Sequence, residues 1–89
     1  MLTPVYTAQF ARDIKRLKRR KKDLGKLKVV IRALLRGDKL ETLYQDHKLA
    51  GSFLGRHECH IEGDWLLIYK KAERAVIFER TGTHADLFE

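Results

Sequence analysis

Apolar residues recur every three or four positions between residues 10 and 35, alternate with polar ones between 56 and 81, and follow no period in between. Phe10, Ile14 and Leu17 stand at i, i+4 and i+7, which predicts an amphipathic helix with Thr7 as N-cap and with lysine and arginine on its other faces. Beyond the run KRRKKD, Asp23 is placed to cap a second helix. Leu24, Leu27, Ile31, Leu34 and Leu35 form its stripe, and Gly37 supplies the stop. Two such helices in tandem predict a helical hairpin. Ahead of them, Thr3-Pro4-Val5-Tyr6 reads as a short edge strand.

From Asp38 to Gly55 the pattern predicts a long loop held by Leu40, Leu43, Tyr44, Leu49 and Phe53, a place where function can sit. Three strand-like runs follow, Arg56–Glu62, Trp65–Lys71 and Ala75–Thr81, joined by turns at Glu62-Gly63-Asp64 and Ala72-Glu73-Arg74. They predict an antiparallel meander in which the run Trp65–Tyr69 is largely buried. The closing segment TGTHADLFE leaves the last strand through Gly82 and is expected to end in a short turn anchored by Phe88. Eighty-nine residues, 44% of them hydrophobic, make one domain over 1–89 with a single small core.

Charge changes this picture. Between Arg12 and Lys39 stand thirteen Lys or Arg against three Asp, while the rest of the chain is net acidic, so the total of +7 is regional in origin. Such asymmetry favours a polyanionic partner, either nucleic acid or an acidic protein segment. The lone Cys59 cannot form an internal disulfide and fits a reducing cytosol. The first residues, MLTPVYTAQF, lack the apolar stretch of a signal peptide, and no window reaches the ~20 apolar residues of a membrane span. A cytoplasmic protein is expected.

Candidate chemistry concentrates in HECHIEGDWLLIY, residues 57–69, where titratable groups abut a buried run. The string could hold a metal, transfer protons or line a solvent face. Strand alternation sends Cys59 and His60 to opposite faces and there is no second cysteine, so no metal site is expected. His57 and Cys59 share the face away from His60 and are expected to be bystanders, Cys59 as a small buried residue. His60 near the end of one strand, Asp64 at the start of the next, Arg80 near the end of the third and His84 just beyond could meet at one end of the sheet. Proton donors, a carboxylate and a guanidinium together suit phosphodiester cleavage. That reaction needs a base for a ribose 2′-OH, an acid for the 5′-oxygen and a cation for the charged transition state. Taken singly the residues have quieter readings, with Arg80 pairing to Glu79 or Asp86 and Asp64 capping a turn. The constellation carries the argument.

The segments DHKLAGSFLGRHECHIEGDWLLIYKK (46–71) and FERTGTHADLF (78–88) closely resemble the YafQ branch of the RelE/ParE toxins, whose pattern runs DHxLxGxxxGxRxxHIxPDWLLIY followed by RTGTHxxLF. The resemblance implies an α+β fold of two N-terminal helices packed on a twisted, mainly antiparallel sheet. It further implies a ribosome-dependent mRNA endonuclease that needs no metal or other cofactor and is neutralised by a DinJ-like antitoxin. The expected assembly is a heterotetramer with that antitoxin and a monomer when free. On the pattern, the catalytic positions fall on His47, His60, Asp64, Arg80 and His84, with Trp65 and Phe88 framing the site. Asp64 or His60 would be the base and His84 the acid, with His47 positioning or stabilising charge and Arg80 binding the scissile phosphate. The basic helices then become the footprint on ribosomal and messenger RNA, with Arg19, Arg20, Lys21 and Lys22 at its centre. Gly63 stands where the pattern usually has proline. A non-catalytic toxin of the same fold, like the gyrase-directed ParE branch, or a basic RNA-binding module are the alternatives. Three histidines at one sheet end argue against the first and the lack of exposed aromatic platforms against the second.

Overall fold

A computed structural model describes residues 1–49 and 55–88. The basic amphipathic stretch forms α1, Ala8–Arg19, started by Thr7, whose hydroxyl accepts from the Phe10 amide and donates to the Glu79 carbonyl. Phe10 and Leu17 are buried as the spacing predicts, but so is Asp13, fully enclosed on the same face. Helix α2, Leu24–Leu35, begins at Asp23, which accepts from the Gly25 amide. It ends with Gly37 at φ +79° and with the amides of Gly37 and Asp38 bonded to Leu34 and Ala33. That is the paired bonding of a glycine-terminated helix.

Among the described residues the sheet has five strands: β1 (Thr3–Tyr6), β2 (His47–Lys48), β3 (His57–Glu62), β4 (Trp65–Lys71) and β5 (Ala75–Gly82). Their order is β1-β5-β4-β3-β2. The meander β3-β4-β5 is antiparallel as expected, and β1 adds at the edge in parallel to β5, so one pair of the sheet breaks the antiparallel pattern. Both helices lie on one face. There Phe10, Leu17, Leu27, Val30 and Leu34 meet Cys59, Ile61, Trp65, Leu67, Tyr69, Val76 and Phe78. The even members of β4, Leu66 and Ile68, point the other way and are covered by Leu87 and Leu49. A strand apolar on both faces needs both covers, which is why WLLIY reads as an unbroken run.

Of the stretch 38–55 predicted as a loop, the described part, 38–49 and 55, carries regular structure. Thr42–Tyr44 forms a short 3₁₀ turn and β2 pairs with β3. Leu40 and Tyr44 pack against the helix-side core, whereas Leu43 is largely exposed; Phe53 lies outside the described residues. The Tyr69 hydroxyl donates to Asp46 at 2.6 Å, tying the segment to the central strand. The chain end also departs from expectation. It is a helical turn, α3 (His84–Phe88), whose buried anchor is Leu87, while Phe88 is 44% exposed. No helix among the described residues is long and apolar enough to cross a membrane.

Candidate active site

The register of the meander sets His60 opposite Leu66, and Leu66 opposite Gly82, so the end of β3, the start of β4 and the exit of β5 lie side by side. Asp64, in the β3–β4 turn, and His84, the first residue of α3, meet there. The His84 Nδ1 is hydrogen-bonded to Asp64 Oδ1, and the His84 backbone amide donates to the same oxygen at 3.1 Å. The His60 ring stands edge-on to the His84 ring with centroids 6.2 Å apart, and its Nδ1 lies 3.4 Å from the Gly63 carbonyl oxygen. The hydrogen bond to Asp64 raises the His84 pKa, and the same bond lowers that of Asp64. The contact thus favours the imidazolium on one partner and the carboxylate on the other, with His84 Nε2 turned away from Asp64.

Gly63 aims this turn from φ +44°, a conformation that proline, locked near about −65°, cannot adopt. No side-chain space is at issue, since an added Cβ would meet nothing within 4 Å. Gly63→Pro, the family's usual residue, is therefore expected to destabilise this protein by more than about 1 kcal/mol. Thermal unfolding will measure it, and an unchanged midpoint would mean that the turn takes the proline conformation at no cost.

His47 stands beside this group on the edge strand. It pairs with Glu58, and its two ring nitrogens face the Gln45 carbonyl at 2.8 Å and Glu58 Oε2 at 3.0 Å. Glu58 shares a strand face with His60, yet the sequence reading gave it no role. It is buried, and among the described residues its Oε1 has no hydrogen-bond donor. Alternation along HECHIE was the signal that could have found it, because residues 58 and 60 must face the same way.

Arg80 pairs chiefly with neither of the carboxylates that its quieter reading offered, Glu79 and Asp86. Its Nε and Nη2 grip Asp13 at 2.8 and 3.2 Å, and Nη2 also reaches the Asp86 carbonyl at 3.4 Å. Asp13 in turn accepts from the Thr81 amide at 3.1 Å. Glu79 pairs instead with Arg56. No periodicity argument could find the Asp13–Arg80 pair, whose members lie 67 residues apart.

Trp65 does not frame the site. It is 2% exposed on the helix face, where its indole N–H donates to Thr81 Oγ1 at 2.9 Å and the Lys22 ammonium sits 5.8 Å from its ring. The apolar body of a tryptophan is best satisfied in the core when its one donor finds an acceptor there. Phe88 does stand near His84, at 6.1 Å between ring centroids. The basic quartet divides as well, since Arg20 is bound to Asp86 and Lys22 covers Trp65, leaving Arg19 and Lys21 as its exposed cations without such engagements among the described residues.

His57 and Cys59 are on the far face, as alternation requires. His57 stacks on Tyr69 at 5.2 Å, and burial pushes the Cys59 thiol up to about 12, so it is no thiolate nucleophile. Among the described residues no three His, Cys, Asp or Glu side chains are grouped closely enough to hold a metal ion.

With His84 bonded to Asp64 and facing His60 at this end of the sheet, comparisons with known proteins show what the chain is similar to. Over 84 residues the chain is 44% identical to the mRNA interferase toxin YafQ of Escherichia coli K12, covering 93% of this chain and 91% of that one. It superposes with a TM-score of 0.93 on YafQ in the E. coli DinJ–YafQ complex, at 41% identity over the whole of both chains. A metal-bound toxin from Helicobacter pylori gives 0.92 at 34% identity, over 99% of this chain and 100% of that one. The model of the YafQ family, bacterial toxins of type II toxin–antitoxin systems, matches residues 2–89, and the chain belongs to that family.

Proposed function

We propose that this protein is a ribosome-dependent mRNA endoribonuclease, the toxin of a type II toxin–antitoxin pair, which cuts mRNA in the ribosomal A site without a metal. The observation that carries the reading is the His84–Asp64 pair facing His60 at the open end of the sheet. Its support from outside is the 44% identity to a protein named an mRNA interferase.

His60 accepts the proton of the ribose 2′-OH, and the 2′-oxygen attacks phosphorus. The P–O5′ bond breaks as His84 Nε2 donates its proton to the leaving oxygen, so the products are a 2′,3′-cyclic phosphate and a 5′-hydroxyl. A carboxylate whose pKa is lowered is a weak base. Asp64 is thus assigned to holding and charging His84, and the base role falls to His60. Arg80 keeps Nη1 for a phosphate oxygen while Asp13 holds the other donors. Glu58 orients His47 beside the reacting ribose. Arg19 and Lys21 remain for phosphate contacts that fix register on RNA. The neutralising partner is a DinJ-like antitoxin, bound as a heterotetramer in the cytoplasm, and the free toxin is a monomer.

Induction without antitoxin is the test. Growth should arrest while ribosome-bound mRNA acquires new 5′-hydroxyl ends, and co-expressed antitoxin should abolish both effects. Normal growth with intact mRNA would overturn the reading. Because one relative is a metal-bound toxin, cleavage in vitro should be repeated with a zinc-selective chelator that spares ribosomal Mg²⁺. The rate is expected to hold, and a loss that zinc restores would refute metal independence.

A further inference from the structure

Asp86 occupies a position that the motif RTGTHxxLF leaves open, and the cleavage chemistry does not use it. Even so, it is bonded from three directions. Its Oδ2 accepts from the Thr83 amide at 3.0 Å while its own amide donates to Thr83 Oγ1 at 3.1 Å, the reciprocal bonding of a capping box around the first turn of α3. Arg20, the residue that caps the C-terminal end of α1, grips both carboxylate oxygens, Nη1 at 2.6 Å and Nη2 at 3.0 Å, and Arg16 stands 3.5 Å away. The Asp86 carbonyl receives Arg80. These cations hold the Asp86 carboxyl well below the usual carboxylate range. Gly82 completes the fit, because a Cβ there would lie 2.8 Å from Asp86 Oδ2.

A helix of five residues cannot hold its own shape in water, and in α3 Leu87 alone is buried. His84 is its first residue and points to solvent. We propose that Asp86, gripped by Arg20 and Arg16, is a positioning residue that locks α3 onto α1 and so aims His84 at the leaving oxygen. This rests on the assignment of His84 as proton donor. It withdraws Arg20 from the RNA footprint and makes the C-terminal end of α1 a support of the catalytic group.

The test compares Arg20→Ala, Arg20→Lys and Asp86→Ala with the parent and with Lys15→Ala, an exposed α1 cation removed as a control. Two readouts are taken: single-turnover cleavage at saturating programmed ribosomes, with its half-saturation point, and NMR titration of the His84 ring with relaxation of its amide. Arg20→Ala and Asp86→Ala should lower the saturated rate by roughly 10- to 100-fold, as loss of aim does. Half-saturation should stay within about twofold, as for a surface change. The His84 ring should titrate lower, toward an ordinary histidine, and its amide should become mobile. Arg20→Lys should recover part of the rate. If Asp86→Ala fails to fold, the Arg20 pair still decides, since that side chain is exposed. Rates matching Lys15→Ala would overturn the proposal. So would a loss confined to half-saturation with His84 unchanged, which would return Arg20 to RNA binding. If His84→Ala itself cleaved normally, the site reading would fail, and the NMR arm would still say whether the clamp orders α3.

Discussion

Replacing His84 by alanine will slow single-turnover cleavage of mRNA on programmed ribosomes by roughly 10²–10⁴-fold, the usual worth of a positioned general acid. The fold should survive, because the ring is more than half exposed and its removal opens no cavity. The neighbour makes a sharper test. Asp64 raises the His84 pKa, so the acid form persists to higher pH than in an ordinary histidine and the alkaline limb of the rate profile is displaced upward. In Asp64→Asn that limb should move down, with activity lost first at the alkaline side, while the acid limb, set by the base, keeps its place. A folded His84→Ala protein that cleaves within about tenfold of the parent would remove His84 from the proton-donor role. An alkaline limb unmoved in Asp64→Asn would dissolve the pair.

Arg80→Ala is expected to cost about 3–5 kcal/mol of stability, the penalty for stranding a buried charge by deleting its partner. The group left short of its main partner is Asp13, fully buried and then held, among the described residues, only by the Thr81 amide at 3.1 Å, Gln9 at 3.5 Å and Arg16 at 3.7 Å. For a domain of this size each kcal/mol is worth about 4–8 °C, so the melting point should fall by about 12–40 °C. Cleavage by this variant will therefore be low whether or not Arg80 touches phosphate. Arg80→Lys separates the two contributions: it keeps a cation against Asp13 but loses the planar fork, and should retain more stability than activity. A melting point that drops by less than about 5 °C in Arg80→Ala would show that the Asp13 pair is not structural.

The different fates of the basic residues follow from the same physics. Arg16, Arg20 and Arg80 belong to a charge network with Asp13 and Asp86 that joins α1 to β5 and α3. Lys22 lies over Trp65 because Lys21, at φ +59°, turns the chain back at the end of α1. A regional charge excess is visible as a count. Which of those charges face a partner and which are used inside the protein is a matter of packing.

The helices, their caps at Thr7 and Asp23, the stop at Gly37, the meander and the two-faced burial of Trp65–Tyr69 were determined by the sequence itself. Caps and turns join groups within a few residues, and a side-chain period of two or 3.6 follows from backbone geometry. The same alternation separated His60 from His57 and Cys59. Only the tertiary structure decided what spans the chain: β1 beside β5, Asp13 against Arg80, Glu58 behind His47, Asp86 under Arg20, and Trp65 in the core instead of at the site. Each of these pairings except that of Glu58 with His47 joins the first twenty residues to the last twenty-five. Strand register and helix docking select among many cations of equal charge, and no local pattern distinguishes one arginine from the next.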